Sequence, residues 1–371
     1  MELKIVTEAA KLQALKSDWD QLWGSLENPT PQLTYEWFLA GWECFHRCDS
    51  LQVIALFAED GRCQAIAPLV ITLSDFHGFK VKKISFPENE QSPSNDFLLN
   101  PDRSAKCLAM IVDYLLQFQA WELVDLQKLD QGSVTFSTLK RKLYAADCLG
   151  GIRSNIESPY VLISGEWQTF WDARSIRLRK SMRNKLNRAK KSGDLYIEKI
   201  SITTESDEAL EEMLGVSSRS WKKDIGTDLL SKKDNWQFYK TICALFGPKG
   251  YIDLWVLRKG EVVIATEFHV KCHGVIYPLR ACFDEDYRYL SPGSVLEYNI
   301  LKTIFNEKKT SEYNTCGHTY KYLLNWTDRS RRHSNAEIYK RSAKMSCLYI
   351  AKYKFWPRLL HLRKWFIENV L

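Results

Sequence analysis

Apolar and polar residues alternate along the chain in two similar blocks. In the first block, residues 51–58 and 63–73 form two apolar segments joined by an Asp-Gly turn, which is typical of a β-hairpin. In the second block, residues 251–258, 262–272 and 275–283 repeat this pattern and add a third strand. This pattern therefore predicts two antiparallel sheets.

Each block continues through a polar, proline-containing loop into an amphipathic helix, over residues 86–118 and 283–305. Another strand candidate follows each helix, beginning at Trp121 and at Ser311. The matching order favours a duplicated α/β unit. Two unrelated α/β segments are the alternative interpretation.

The most prominent break in the chain follows Gly150 and Gly151, where a polar segment precedes a new strand. We predict an N-terminal domain over residues 1–155, a second domain over 156–336 and a basic amphipathic helical tail over 337–371. The length of 371 residues suits two domains of ordinary size. The predicted fold class is α/β (α+β), with a mixed, mostly antiparallel sheet flanked by helices in each domain.

The composition is that of a globular protein, with 45% hydrophobic and 26% charged residues. The N-terminal residues do not resemble a signal peptide, and no apolar run reaches the roughly 18 residues of a spanning helix. We therefore expect a cytoplasmic protein, with the basic aromatic tail resting on the inner face of the membrane as an alternative. The ten cysteines include no CxxC pair, which favours reduced thiols and no structural metal.

Positive charge is concentrated in one segment, although the net charge of +7 is moderate. Residues 174–193 carry nine Lys or Arg and no acid around an apolar stripe of helical period, so a packed basic helix is expected. Its ligand could be an acidic acyl carrier protein, the phosphates of coenzyme A or RNA, and a solvated basic face is the alternative. The absence of interleaved aromatic residues argues against nucleic acid. The predicted carrier or phosphate contacts are Arg177, Arg179, Lys180 and Arg183.

A short loop precedes the second amphipathic helix. Gly293 lets the backbone approach a ligand closely, and the free N–H groups and dipole of a helix N-terminus favour an anion. Arg288 adds a guanidinium that can bind phosphate oxygens. The candidate phosphate site therefore comprises Arg288, Ser291, Gly293 and Ser294, and a capped helix without a ligand is the alternative.

The order hairpin, Arg-x-x-Ser-x-Gly, helix resembles the Arg/Gln-x-x-Gly-x-Gly/Ala loop with which GNAT-superfamily acyltransferases hold the pyrophosphate of coenzyme A. Ser291 stands in place of the first glycine. The chain as a whole resembles the BioF2-like, or CelD/BcsL-like, acyltransferases, which have two tandem GNAT-type domains similar in plan to the FemABX transferases. The segments that carry this resemblance are residues 31–42, 94–97, 179–193, 283–296 and 317–326.

The resemblance implies an N-acyltransferase that moves an acyl group from acyl-CoA or an acyl carrier protein to an amine. The acceptor would be a small metabolite, an amino sugar or a polysaccharide precursor. Strand alternation puts Glu267 and His269 on one face, so either could act as the general base. By analogy with the family, Tyr320 would protonate the leaving thiolate and Lys321 would bind a carboxylate or the cofactor phosphates.

Two other functions fit the sequence. A Fem-like transferase would take its acyl group from an aminoacyl-tRNA, and a non-catalytic adaptor would bind a membrane or nucleic acid through the basic helix. The chain has no GxxxxGK[ST], GxSxG or HExxH motif and no GxGxxG after a strand. The sequence therefore gives no motif evidence for nucleotide hydrolysis, serine hydrolysis, zinc proteolysis or Rossmann-type dehydrogenation.

Overall fold

The computed structural model describes residues 1–76, 78–87, 89, 91–118, 120–145, 149–315, 317 and 322–355. The strands are β1 Glu2–Val6, β2 Ser50–Leu51, β3 Val53–Phe57, β4 Cys63–Ala67, β5 Val70–Phe76, β6 Phe79–Ser85, β7 Leu98–Leu99, β8 Leu123–Asp130, β9 Leu149–Leu162, β10 Leu195–Ser201, β11 Ile252–Lys259, β12 Val262–Cys272, β13 Val275–Phe283, β14 Glu312–Asn314 and β15 Ser330–Tyr339. The α-helices are α1 Ala9–Ala14, α2 Lys16–Gly24, α3 Tyr35–Phe45, α4 Ser104–Gln117, α5 Val134–Ala145, α6 Trp167–Asp172, α7 Ile176–Lys191, α8 Glu208–Ser218, α9 Lys233–Phe246, α10 Pro292–Glu307 and α11 Ala343–Ile350.

The chain forms two compact units, and neither is one continuous segment. Unit 1 contains residues 1–28, 46–156 and 332–371, and unit 2 contains 29–45 and 157–331. The grouping thus differs from the contiguous domains expected from the sequence, although the chain does change unit next to residue 155. The reason is tertiary: α3 packs against α9 and so joins unit 2, whereas β15 pairs with β8 and returns the chain to unit 1.

Unit 1 contains two sheets around one apolar core. One sheet has the order β1-β3-β4-β7, and the other runs β15-β8-β6-β5-β2. Helix α4 presents Leu108, Ile111 and Leu115 to this core, at the spacing of one helix face. Asn100 caps the short 3₁₀ turn before this helix, at Pro101–Arg103, by accepting a hydrogen bond from the N–H of Asp102, whereas α4 itself has no side-chain cap.

Unit 2 is built on the strands β10, β11, β12 and β13, which are antiparallel neighbours. Strand β14 pairs with β13 in parallel and with the last residues of β9 in antiparallel. Helix α10 covers one side of this sheet with Leu296, Ile300 and Ile304, as the spacing of four predicts. Helix α7 packs its apolar stripe into the same core.

The two units share an order of elements. Each has a first strand and two helices, then antiparallel strands, one helix, and a strand that pairs in parallel with an earlier strand: β8 with β6 in unit 1 and β14 with β13 in unit 2. Both predicted hairpins and both amphipathic helices are confirmed. The expected helical start at Glu337 is wrong, because Ser330–Tyr339 forms strand β15, in which residues from His333 to Tyr339 pair with β8, and the next helix begins at Ala343.

None of the helices within the described ranges combines the length and apolar content needed to cross a bilayer. Within the same ranges, no group of His, Cys, Asp and Glu is arranged to hold a metal ion. Eight cysteines that the structure describes are free thiols.

Candidate functional site

The N-terminus of α10 in unit 2 is open toward a ligand. Ser291 precedes it in a left-handed conformation, with φ 57° and ψ 49°, and its side chain does not cap the helix. Pro292 has no N–H, so the first free donors are Gly293 and Ser294. A Cβ at Gly293 would lie 3.4 Å from Phe283, so the glycine keeps this approach uncrowded. Backbone donors and the helix dipole together favour an anion here.

Two cations of the basic helix α7 reach this loop. Lys185 Nζ donates to Ser294 Oγ at 2.8 Å, and Arg188 Nη2 donates to Ser291 Oγ at 3.1 Å. Burial lowers the pKa of Lys185, Glu297 raises it and Arg188 lowers it further. Two positive groups thus converge on the serines that begin α10, which is the arrangement expected for phosphate binding.

The other predicted phosphate contacts lie elsewhere. Arg288 has a side chain that is 76% exposed, and its Nη1 donates to Glu285 Oε2 at 3.4 Å. Arg179 pairs with Asp172 at 3.3 Å. The structure therefore brings Ser291, Gly293 and Ser294 together but not with these two arginines. The remaining predicted contacts are on exposed positions of α7: Arg177, Lys180 and Arg183.

Strands β13 and β14 run in parallel for only two residue pairs, Val275 with Glu312 and Ile276 with Tyr313. Beyond this point β13 continues to Phe283 and the loop before α10, and no described strand pairs with that edge. The register between β12 and β13 also shifts, from Phe268 opposite Arg280 to His269 opposite Pro278, which leaves Leu279 as a bulge. An extended chain could add to this edge of β13 through backbone hydrogen bonds.

A cavity of about 440 Å³ lies beside α7 and α10. Ala189 and Lys190 line it from α7, and Val295 and Asn299 from α10. The cavity thus adjoins the two helices that carry the cationic loop site, but Lys185, Arg188, Ser291 and Ser294 do not line it.

A buried polar cluster lies on the sheet under α10. His269 and Glu267 share one face of β12, as alternation predicts, and His269 Nε2 is 2.8 Å from Glu267 Oε1. The hydroxyl of Tyr313 donates to the same carboxylate oxygen. His269 Nδ1 is buried and has no hydrogen-bond partner among the described residues. With Glu267 accepting the Nε2 proton, Nδ1 is the nitrogen left with a free lone pair.

Glu297 is a second carboxyl group in this cluster. Its pKa is raised to about 8, first by burial and then by the charge of Glu267, while the hydrogen bond from Trp326 and the charge of Lys185 oppose the rise. Burial also raises the pKa of Tyr313, with the negative charges of Glu267 and Glu297 adding to it. At neutral pH, Glu297 is therefore mainly protonated and Tyr313 keeps its hydroxyl proton.

Glu297 should make folding stability depend on pH. An exposed glutamate titrates near 4.5, so the contribution of Glu297 is fully present below that pH and is lost as the pH rises toward about 8. The slope is at most about 1.4 kcal/mol per pH unit. We therefore expect the free energy of unfolding of Glu297→Gln, measured with urea, to change less between pH 5 and 8 than that of the wild type. Glu307→Gln, at the exposed end of the same helix, is the control, and equal pH slopes for all three proteins would contradict the assignment.

Two residues predicted by analogy cannot be compared with this geometry. Tyr320 and Lys321 lie outside the described residues, so their roles stay predictions.

Four residues of the site were missed by the sequence reasoning. Lys185 and Arg188 are three positions apart and therefore share a face of α7, but this spacing alone does not distinguish them from the other basic residues of the helix. Glu297 is a carboxylate on the apolar side of a helix, three residues after Ser294. Because burying a charged group is costly, this position could have indicated a functional residue. Tyr313 lay in a predicted strand, but nothing in the sequence linked it to Glu267.

Residues 177–322 match the family model described as an acetyltransferase (GNAT) domain. No curated protein matched the chain by sequence. Among solved structures, FemX is similar with a TM-score of 0.62 and 10% identity, over 94% of this chain and 100% of that one. L-PGS from Bacillus licheniformis is similar with a TM-score of 0.53 and 11% identity, over 95% and 98%. These two likenesses concern the fold alone.

The findings confirm the predicted α/β fold with GNAT-like domains of sheets flanked by helices. The family match also confirms the predicted acyltransferase class. It covers the loop, α10, the polar cluster and α7 from its second residue onward. The narrower BioF2-like or CelD/BcsL-like assignment stays a prediction.

Proposed function

We propose that this acyltransferase moves an acyl group from a phosphopantetheine thioester, with acyl-CoA as the preferred donor, to the amine of a small metabolite, amino sugar or polysaccharide precursor. The observation that carries the proposal is the convergence of Lys185 and Arg188 on the serines at the open start of α10. This site suits the pyrophosphate of coenzyme A. The BioF2-like or CelD/BcsL-like assignment belongs to the same proposal.

The pantetheine arm would extend from the loop along the free edge of β13. Its amide groups can pair with backbone groups of an extended strand, and β13 has such an edge beyond Ile276. This path leads toward Tyr313, where β13 and β14 come together, and so brings the thioester to the polar cluster. The backbone N–H of the bulged Leu279 is the candidate donor that polarises the thioester carbonyl.

In the chemical step, the acceptor nitrogen attacks the thioester carbon and its proton passes to Nδ1 of His269. Glu267 holds the imidazole through Nε2 and stabilises the positive charge that forms. The carbon–sulfur bond then breaks, and the leaving thiolate takes a proton. Glu297, protonated at neutral pH and close enough to interact with Lys185 and Glu267, is the candidate acid.

The donor itself is open to a direct test. We expect calorimetry to detect binding of acetyl-CoA or a longer acyl-CoA, with modest weakening when the salt concentration is raised. Binding only to an acyl carrier protein, lost in the charge-reversed variant Arg177→Glu with Lys180→Glu, would replace coenzyme A by a carrier-bound arm. Binding to neither donor would contradict the proposal.

One observation favours a second candidate, a Fem-like transferase that takes its acyl group from aminoacyl-tRNA. Arg177, Lys180 and Arg183 form an exposed basic row on α7, and such a row can follow a phosphate backbone. Filter binding of a charged tRNA, with a steep loss between 50 and 200 mM salt, would support this candidate over the thioester donor.

A further inference from the structure

Unit 1 contains a cavity of about 370 Å³ that the proposed chemistry does not use. Its lining is strongly charged, with equal numbers of acidic and basic residues. Three acids and three bases contribute: Asp75, Asp125, Glu337, Lys83, Arg153 and Lys352.

Two of these acids are placed against each other. Asp125 on β8 and Glu337 on β15 are direct partners in an antiparallel pair, and both are buried. Like charges at directly opposed positions destabilise a sheet, and burial adds to the cost. Burial first, and then Glu337, raises the pKa of Asp125. Packing alone therefore does not account for this pair.

The protein satisfies Glu337 completely. Lys352 Nζ donates to Oε1 at 2.6 Å, and the hydroxyls of Tyr339 and Tyr353 donate to Oε2 at 2.6 and 3.1 Å. This carboxylate is thus fixed and neutralised from three directions. Its two oxygens can therefore accept few further hydrogen bonds from a ligand.

Asp125 is satisfied on one side only. Its Oδ2 accepts from Gln127 Nε2 at 2.6 Å, whereas its Oδ1 is buried and has no partner among the described residues. The Asp125 residue is only 6% exposed and lines the cavity. A buried acceptor without a protein partner can accept a hydrogen bond from a molecule bound in the cavity.

Two cationic side chains that line the cavity, Lys83 and Arg153, can still donate hydrogen bonds to a ligand. Lys83 Nζ is 3.9 Å from Asp125, and Arg153 Nη2 is 3.9 Å from Glu337, and both distances exceed a hydrogen bond. Neither side chain makes a hydrogen bond within the part of the chain that the structure describes. Arg153 is 55% exposed and so lies toward solvent. An anionic group could therefore be held nearer the cavity mouth while Asp125 takes a donor inside.

We propose that this cavity is a binding site for a small zwitterion. Its primary ammonium group hydrogen-bonds to Asp125 Oδ1, and its carboxylate or other anionic group contacts Arg153 and Lys83. The ammonium supplies the missing donor and offsets the repulsion between Asp125 and Glu337. The site lies wholly within unit 1 and is separate from the loop and polar cluster of unit 2.

The test uses ligand-observed NMR on the full chain with three probes of similar size: 4-aminobutyrate, n-propylamine and butyrate. We expect saturable binding of 4-aminobutyrate, weaker binding of n-propylamine and none of butyrate. Asp125→Asn should weaken 4-aminobutyrate at least about tenfold, as the loss of a charged hydrogen bond implies. Asp113→Asn, which changes an exposed carboxylate of the same unit, should leave binding unchanged.

Several results would overturn the proposal: no saturable binding of either amine, butyrate binding as well as 4-aminobutyrate, or Asp125→Asn binding like the wild type. If Asp125→Asn does not fold, Arg153→Ala replaces it, since that side chain is exposed. It should weaken 4-aminobutyrate but not n-propylamine, and equal affinities for 4-aminobutyrate would reject the zwitterion. No acyl donor is needed, so the outcome is independent of the proposed transferase reaction.

Discussion

Replacing Lys185 by Met and Arg188 by Gln together should weaken acyl-CoA binding at least about 100-fold. Each side chain brings a cation to a serine at the start of α10. A hydrogen bond to a charged group contributes about 1.5–3 kcal/mol, and each 1.4 kcal/mol is a factor of ten in affinity. The aliphatic part of Met and the length of Gln preserve the packing of α7. Calorimetry with the same acyl-CoA measures the change.

The matched control removes the same charge from the same helix. Arg177→Ala with Lys180→Ala changes two exposed residues of α7 that do not contact the loop. We expect this variant to bind within about threefold of the wild type at 0.15 M salt, because exposed charges are screened there. If both double variants lost affinity equally, α7 would attract the donor only through its overall charge, and the assignment of the loop would be wrong.

The second large effect is expected at His269. His269→Gln should lower kcat about 100-fold or more and leave the donor Kd unchanged, because general-base catalysis is typically worth 10²–10⁴-fold. The basis is its geometry: Nε2 is held by Glu267, and the buried Nδ1 has no partner among the described residues. Gln keeps much of the side-chain volume but cannot accept a proton at neutral pH.

Two further variants make this result specific. Glu267→Gln should also lower kcat, because it disturbs the orientation, tautomer and charge of the imidazole although the base stays in place. His273→Asn changes another histidine of unit 2, at an exposed turn with φ 45° where Asn is well tolerated, and should leave kcat unchanged. Wild-type turnover in His269→Gln would reject the base assignment.

The protein combines two units with a similar order of elements. In each unit the helix after the strands begins without a side-chain cap. The feature that the structure adds at the start of α10 is a pair of cations, because Lys185 and Arg188 donate hydrogen bonds to Ser294 and Ser291. These contacts, and not the absence of a cap, support donor binding in unit 2.

Much of the fold could be read from the sequence because its signals are local. The period of two identified the strands on either side of residue 260, and the period of four identified the buried face of α10. The start of α10 was also predictable, since serine followed by proline before an apolar periodic segment is a common signal for the beginning of a helix. The shared face of Glu267 and His269 followed from strand alternation alone.

What the sequence could not determine is which distant residues meet. Lys185 and Arg188 contact serines more than 100 positions away, and they were chosen over Arg177 and Arg288 by the rotation of α7 against α10. The pairing of Asp125 with Glu337 depends in the same way on the register of β8 and β15. A local period fixes which face of an element is apolar, but only tertiary packing fixes which element that face meets and at what register. For this reason the sequence by itself determined the elements, the loop and the class of chemistry, and only the tertiary structure decided the two charged sites.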